Sequence, residues 1–203
     1  MVTPLTFTRG DSALIDALRA GHPGAAAAFY DQNAPHVRRT LRSVVGLDAD
    51  LPDLLQEVFI RAIDRIGELK DLNEVGSWLT TIAIFTARAH IRRQVRRRWL
   101  YLFSPDQTRS QHREQPSSDA RRALTEVYDV LEQMSANDRI AFALRFIDGL
   151  TLPDGAAAAQ TSLATFKRRL VRAEKRFLIL ARSRPHLAQW IEEGTRWSLR
   201  NQI

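Results

Sequence analysis

Hydrophobic positions recur along most of the chain at intervals of three and four residues, the period of a helix with one buried face. The clearest stripe contains Leu54, Leu55, Val58, Phe59, Ala62, Ile63 and Ile66. It predicts a helix from Pro52 to about Leu69. Ile60 falls outside this stripe, on the polar side of the predicted helix. No segment shows sustained polar and apolar alternation, so we predict an all-α fold without a sheet.

Three further helices are predicted in the first half of the chain. Two lie at about residues 11–20 and 24–45, and Gly46 is a natural stop for the second. The third begins after Ser77, its predicted N-cap, and runs into the segment RRQVRRRWLYL. Its predicted inward residues are Trp78, Leu79, Ile82, Ala83, Thr86 and Ala89.

The second half is predicted to contain four helices. The first begins near Ala120 with Leu124, Val127, Tyr128 and Leu131 inward, and Ser135 with Asp138 resembles the capping box of the next, which stops at Gly149. Residues 151–159 and 163–182 then form two helices separated by the break QTS, with Ser162 as N-cap. This outline is typical of a helix-turn-helix, whose second helix turns Phe166, Leu170 and Ala173 inward.

Composition changes between residues 104 and 118, where SPDQTRSQHREQPSS offers almost nothing to bury. We therefore predict two small helical domains, at residues 11–100 and 119–182, joined by a flexible linker at residues 101–118. Residues 183–203 are a C-terminal extension of unassigned role. The apolar side chains Leu187, Trp190, Ile191 and Trp197 of this extension either cap the second domain or bind a partner.

Charge and composition narrow the classes of protein. The 203 residues are 44% apolar, enough for a core, and 30 Lys and Arg against 23 Asp and Glu give a net charge of +7. This excess of positive charge favours a polyanionic partner. The chain has no cysteine, which excludes disulfides and thiolate chemistry, and it has no long apolar run. We therefore expect a soluble cytoplasmic protein without a membrane span.

Enzymatic patterns are absent from the sequence. The five histidines never occur at the i, i+3 or i+4 spacing of helical metal ligands, and no glycine-rich phosphate loop or nucleophile elbow is present. We predict no catalytic residue, no metal and no cofactor.

Two basic segments are candidates for binding nucleic acid. The helix from Leu163 carries Lys167, Arg168, Arg169, Arg172 and Lys175 on its outward side, and six arginines lie at Arg88, Arg92, Arg93, Arg96, Arg97 and Arg98. The alternatives are a solvated basic face for the first and complementation of a helix dipole for the second. The capped turn before the first segment favours a recognition helix in the DNA major groove.

The chain resembles bacterial sigma factors of the extracytoplasmic-function group over about residues 20–180. DLLQEVFIRA is similar to the family's DLVQEVFLRA, SWLTTIAIFTARAHIRR to its WLyrIArNlarDhlRR, and TLPDGAAAAQTSLATFKRRLVRAEKRF to its EIAealgvsegTVksRlhRAr. The resemblance implies two domains that bind RNA polymerase core, one also opening the −10 promoter element and the other reading the −35 element. It implies contacts with the clamp helices of the largest polymerase subunit and the flap of the second largest, and it allows an anti-sigma factor as a further partner.

The resemblance also assigns residues to these surfaces. The core-binding face would contain Asp53, Gln56, Glu57 and Ile60, which gives the isoleucine off the buried stripe a role. The −10 surface would contain Asn73, Ser77, Trp78, Thr81, Phe85, Arg88, Arg92 and Arg93. The −35 surface would contain Ser162, Ala164, Thr165, Lys167, Arg168, Arg169 and Arg172.

Several positions depart from the family pattern. Phe85 replaces an asparagine of the −10 surface, and Ile84 and Ala89 replace a basic residue and an aspartate. The Phe85 ring either stacks on an unstacked base or packs on Trp78 or Ile82. In the second domain Gly155, Ala159 and Gln160 replace isoleucine, leucine and glycine. We expect Gly155 to cost about 1 kcal/mol relative to alanine and the lost side chains to thin the core.

The sequence therefore predicts a transcription initiation factor, with two alternatives. One is a helix-turn-helix regulator that binds DNA without core polymerase. The other is a sigma-derived interaction protein that has lost promoter opening, which the departures at Ile84, Phe85 and Ala89 favour.

Overall fold

The computed structural model describes residues 12–22, 24–46, 48–102 and 119–188. Within these ranges the chain is helical and contains no strand, which confirms the predicted all-α class. The chain divides into two compact units, the first comprising residues up to Ala87 with Ala157–Gln160 and the second comprising the remainder. Residues 103–118 of the predicted linker, and Trp190, Ile191 and Trp197 of the extension, lie outside the described residues.

The first unit begins with three helices, α1 (Ser12–Arg19), α2 (Ala25–Val45) and α3 (Leu51–Asp64). Phe29, Val37 and Leu41 of α2 are almost completely buried, and the Phe29 ring meets Phe59 of α3 edge to face, with centroids 5.9 Å apart. Each such side chain contributes about 1.5–3 kcal/mol through burial. This packing fixes one side of α3 and leaves its opposite side at the surface.

Most of the predicted stripe of α3 is buried, namely Leu54, Leu55, Val58, Phe59 and Ala62, whereas Ile63 is only half-buried. The helix is shorter than predicted, since it ends at Asp64 and a 3₁₀ turn follows at Ile66–Glu68. Ile66 and Leu69 are nevertheless buried, so the hydrophobic pattern continues past the end of the α-helix.

The long helix α4 (Val75–Leu102) begins before its predicted cap. A 3₁₀ turn at Leu72–Glu74 is capped by Asp71, whose carboxylate accepts the Asn73 N–H at 2.9 Å, and it leads directly into α4. Ser77 therefore lies inside the helix, where its hydroxyl donates to the Glu74 carbonyl at 2.9 Å, and the prediction of Ser77 as N-cap is wrong.

The inward face of α4 agrees with most of its predicted members. Leu79, Ile82, Ala83 and Thr86 are buried, whereas Trp78 and Ala89 are only half-buried. Ile84 is also buried, at 1% exposure, so it belongs to the core of the first unit.

The second unit contains α5 (Asp119–Leu131), α6 (Ala136–Phe142), all but the last two residues of α7 (Leu152–Ala158), and α8 (Leu163–Ala181), with a π-helical turn at Ala143–Ile147. Its core includes Tyr128, Leu131, Phe142 and Phe177, and the rings of the last two stack with centroids 4.6 Å apart. Leu124 was predicted inward but is 37% exposed, because Ala123, Tyr128 and Leu131 take the buried side of α5.

The start of the C-terminal extension belongs to this core. Leu187 is buried in the same cluster as Tyr128 and Phe177. The Glu126 carboxylate accepts the N–H groups of His186 and Leu187, both at 3.1 Å. For Leu187, the structure thus supports the capping alternative over partner binding.

Gly155 of α7 makes room for a neighbouring ring. A Cβ atom at this position would lie 2.6 Å from Cζ of Phe166, a fully buried residue of α8. Phe166 stands where the family pattern has valine, so the larger side chain on α8 fills the volume that isoleucine would fill from α7. The prediction that the isoleucine missing at Gly155 thins the local core is therefore wrong, whereas the same prediction for the leucine missing at Ala159 stays a prediction.

The turn after α7 holds Gln160 with a φ of 51°, in the left-handed region. The N–H of Gln160 donates to the Ala157 carbonyl, and that of Thr161 donates to the Ala156 carbonyl, both at 3.0 Å. This is the Schellman arrangement, which usually places glycine in the left-handed position. The left-handed φ explains why the family pattern has glycine at this position. Gln160 adopts the same conformation although it has a Cβ atom.

Candidate protein-binding and nucleic-acid-binding surfaces

One face of α3 combines polar groups with an exposed isoleucine. Asp53, Gln56 and Ile60 are exposed, and the exposed fraction of Ile60 is 54%. Their spacing of three, four and seven residues places them on one side of the helix, opposite the buried stripe. Asp64, four residues after Ile60, is exposed on the same side and was not singled out from the sequence.

Glu57 belongs to this face but already has a partner within the helix. Nη2 of Arg61 lies 2.7 Å from Glu57 Oε1, and Nε of Arg61 donates to the same oxygen at 3.2 Å. The pair is spaced i, i+4 with the acidic residue first, the favourable order. Glu57 is half-buried, whereas Asp53 and Gln56 are exposed.

Phe85 lies on the outer side of α4, with 54% of its surface exposed. The guanidinium carbon of Arg61 lies 5.4 Å from the ring centroid, within cation–π range. The alternative that Phe85 packs into the core is therefore wrong. Arg61 was not among the predicted site residues, because its contact with Phe85 joins two helices and leaves no local signal in the sequence.

Three of the predicted −10 residues before Phe85 make local hydrogen bonds through their side chains. Asn73 donates from its side-chain amide to the Asp71 carboxylate at 3.0 Å, and the Thr81 hydroxyl donates to the Ser77 carbonyl at 3.1 Å. Ser77, Thr81 and Phe85 follow one another at four-residue steps and so share one side of α4. Trp78 is half-buried beside them.

His36 of α2 is within hydrogen-bonding distance of two residues at the beginning of α4. Its Nε2 lies 3.1 Å from the Gly76 carbonyl oxygen and 2.9 Å from the Thr80 hydroxyl, and its Nδ1 lies 3.3 Å from Nη2 of Arg39. A protonated Nε2 would donate to the carbonyl while Nδ1 accepts from the guanidinium. The sequence pattern gave His36 no role, whereas the structure places it under the helix that carries the predicted −10 residues.

The arginines in the second half of α4 form a concentrated positive surface. Arg92, Arg93, Arg96, Arg97 and Arg98 are exposed, and Arg88 is half-buried. Burial lowers the pKa of the Arg88 guanidinium below its ordinary value, and the positive charges of Arg169 and Arg92 act in the same direction. A polyanion bound to this surface would reduce the repulsion between these arginine side chains.

The helix-turn-helix has the predicted capped recognition helix. The Ser162 hydroxyl oxygen accepts the Thr165 N–H at 3.2 Å, which satisfies one donor in the first turn of α8. Phe166, Leu170 and Ala173 are buried, as predicted. Of the predicted −35 residues, Ser162, Ala164 and Arg168 are exposed, and Thr165, Lys167 and Arg169 are half-buried.

Arg172, the last predicted −35 residue, makes an ion pair within the protein. Its Nε and Nη2 donate to the two oxygens of Asp138 at 2.9 and 2.6 Å, which ties α8 to α6. The hydrogen bond and the charge of Asp138 both raise the pKa of the Arg172 guanidinium. Ser135 caps α6 as predicted, accepting the Asp138 N–H at 3.2 Å. The Asp138 carboxylate, however, binds Arg172, a contact that the capping-box prediction had not anticipated.

None of the helices in the described part of the chain has the length and apolar character needed to cross a membrane.

Comparison with known proteins identifies two regions of the sequence. The family model of sigma-70 region 2 matches residues 29–97, and that of sigma-70 region 4 matches residues 124–177. The ECF RNA polymerase sigma factor SigC of Mycobacterium tuberculosis is 31% identical over 185 residues, covering 86% of this chain and 95% of SigC. The ECF sigma factor BldN of Streptomyces coelicolor is 27% identical over 172 residues, covering 81% of this chain and 64% of BldN.

A solved structure shares the fold. The sigma factor RpoE of Bartonella quintana, crystallised with the anti-sigma factor NepR, superposes with a TM-score of 0.57 at 21% identity. The alignment covers 79% of this chain and 98% of RpoE. The chain therefore belongs to the extracytoplasmic-function (ECF) group of the sigma-70 family of transcription initiation factors.

Proposed function

We propose that the chain binds RNA polymerase core through the exposed face of α3 and directs it to promoters by reading −10 and −35 elements. The observation that carries core binding is the exposure of Ile60 among Asp53, Gln56 and Asp64. The other large apolar residues of α3 are buried or half-buried. A partner that covered Ile60 would gain apolar burial at the centre of a polar rim, which is the usual anatomy of a protein interface.

The partner at this face is the pair of clamp helices in the largest polymerase subunit, and the second unit binds the flap of the second largest. Asp53 and Asp64 would meet basic groups of the clamp helices. Because these carboxylates lie at the edge of the face, they would act more on association rate and specificity than on affinity.

The promoter is read at two places. On α4, Ser77, Thr81 and Phe85 face the separated −10 strand, where the exposed ring supplies a stacking surface worth about 1–3 kcal/mol per base. Arg88, Arg92 and Arg93 bind phosphates along the same helix. On α8, Ser162, Ala164, Thr165 and Lys167 approach the −35 major groove while Arg168 and Arg169 hold the backbone.

Run-off transcription with purified core polymerase tests the proposal. Wild-type chain should yield discrete transcripts from a genomic library of its source bacterium, whereas core alone should not. A regulator that binds DNA without core would give none and would bind duplex DNA equally well in the absence of core.

A second candidate function is an interaction module that binds core without opening promoters. It is favoured by Ile84, an apolar residue at a position where the family pattern has a basic one, because its side chain is buried in the core and cannot contact DNA. Stable core binding without transcripts from any template would establish this alternative.

An anti-sigma factor is a further proposed partner, supported by the complex in which RpoE of Bartonella quintana was crystallised. The proposed compartment is the cytoplasm, where core polymerase and the promoters reside. Pull-down by the tagged chain, expressed in the source bacterium, should recover core subunits.

A further inference from the structure

We infer that Arg61 is a positioning residue for strand binding, because it holds the Phe85 ring in the orientation that receives an unstacked base. The inference rests on the proposed reading of the −10 strand. It adds a residue on α3, whereas the predicted −10 contacts from Ser77 to Arg93 all lie on α4.

The geometry forms a chain of three side chains. Nη2 of Arg61 lies 2.7 Å from the Glu57 carboxylate, and its guanidinium carbon lies 5.4 Å from the Phe85 centroid. An arginine on a surface helix ordinarily samples many rotamers. Here the two hydrogen bonds to one carboxylate oxygen restrict the guanidinium before any ligand arrives.

The contact restricts the ring in turn. An exposed phenylalanine on a helix has more than one accessible rotamer, and only some of them present a ring face to a strand. A cation held at one side of the ring favours a single placement, while the 54% exposure of Phe85 leaves surface for a base. Preorganisation of this kind raises affinity by removing the entropy lost on binding.

A different role for Arg61 is direct contact with a phosphate. The side chain of Arg61 is 35% exposed, so the strand could reach it, but its donors Nε and Nη2 are already directed at Glu57. The two roles differ in a measurable way. A phosphate contact contributes to the salt dependence of binding, whereas a contact that acts through Phe85 does not.

A double-mutant cycle in the assembled holoenzyme separates these roles. The probe is single-stranded DNA that wild-type holoenzyme, but not core alone, retains from a random-sequence library. Affinity is measured at several salt concentrations with the chain saturating over core, so that changes in core binding do not limit the result. The variants are Arg61→Ala, Phe85→Ala, their combination and Arg61→Lys, with Arg65→Ala as the control that removes an exposed charge close by.

Phe85→Ala should weaken strand binding about tenfold, the size of one lost base stack. Arg61→Ala should weaken it about threefold in the wild-type background, because the ring loses the placement that a cation–π contact of ordinary strength favours, and not at all when Phe85 is already alanine. Arg61→Lys should restore most of the affinity, Arg65→Ala should have little effect, and the salt slope should be the same for wild-type and Arg61→Ala holoenzyme.

Three results would overturn the inference. Equal losses from Arg61→Ala in both backgrounds, with the salt slope reduced by about 0.7, would make Arg61 a phosphate contact. No effect of Arg61→Ala, with a tenfold effect of Phe85→Ala, would refute the inference and leave the −10 proposal standing. No effect of Phe85→Ala, or no strand retained by the holoenzyme, would refute the −10 proposal itself.

Discussion

Replacing Gly155 by alanine should destabilise the second unit, although alanine is the better helix former. In an exposed helix interior this substitution would add about 1 kcal/mol of stability. Here the new methyl group would lie 2.6 Å from Cζ and 2.9 Å from Cε1 of Phe166, a residue with no exposed surface. Overpacking of a core costs about 1–3 kcal/mol, so after the helix-propensity gain is subtracted we expect a net loss of up to about 2 kcal/mol.

Phe166→Leu provides the matched test of this reasoning. Leucine has no atom at the Cζ position, so it should tolerate the methyl group that Gly155→Ala introduces. Phe166→Leu alone should lower stability by leaving a cavity, and in the double variant the added methyl group should partly fill that space. The losses should therefore be less than additive, by about 1 kcal/mol.

Thermal unfolding followed by circular dichroism, with hydrogen exchange of peptides from α8, would measure these changes in the second unit. Exchange is needed because a two-domain chain does not have to unfold in one transition. If Gly155→Ala raises the stability of α8, or if its effect adds independently to that of Phe166→Leu, the ring does not occupy the volume beside Gly155.

Three further predictions address other parts of the molecule. Gln160→Gly should stabilise the helix-turn-helix by about 0.5–1 kcal/mol in thermal unfolding, because a left-handed φ is costly for a residue with a Cβ, whereas Gln160→Ala should give no gain. Arg169→Ala should lower the log–log salt slope of −35 duplex binding by about 0.9, and an unchanged slope would show that Arg169 does not contact a phosphate. Arg172→Ala should chiefly cost about 1–2 kcal/mol of stability, because it leaves the Asp138 carboxylate without its ion pair. Ile60→Asp should weaken core binding in a pull-down at unchanged helix content, and wild-type affinity in a folded Ile60→Asp protein would refute the α3 interface.

Local patterns in the sequence predicted most of the helices and two of the caps. The stripe of α3 and the caps Ser135 and Ser162 depend on residues within one or two turns of each other, which is the range that periodicity and capping rules cover. The wrong prediction of Ser77 as N-cap also came from a rule that covers only one or two turns. Asp71 caps a 3₁₀ turn that runs straight into α4, so the helix begins before Ser77, which the local pattern around Ser77 does not reveal.

Contacts between elements could not be predicted. Gly155 with Phe166, Asp138 with Arg172, and Arg61 with Phe85 each join residues on different helices. Gly155 and Gln160 look like two unfavourable departures from the family pattern. In the structure the first is matched by a larger neighbour, while the second remains in a conformation suited to glycine. Only three-dimensional packing separates the two cases.

The partner of each surface is predicted by the family resemblance and not by periodicity or charge. The exposure of Ile60 follows from periodicity, but the choice of polymerase as its partner does not. Similarly, the outward direction of Phe85 could not be read from its spacing, and the sequence left core packing and base stacking open. The structure excludes core packing, because 54% of the Phe85 surface is exposed.

The burial of Leu187 bears on where the second unit can be cut. The region 4 family match ends at residue 177, and the sequence alone placed the end of the domain at residue 182. A fragment ended there would lose the side chain that packs with Tyr128 and Phe177, and Glu126 would lose the two N–H groups that it accepts. A fragment intended for solution studies of this unit should therefore continue beyond Leu187, because its physical boundary is set by burial and lies past the point where similarity to relatives stops.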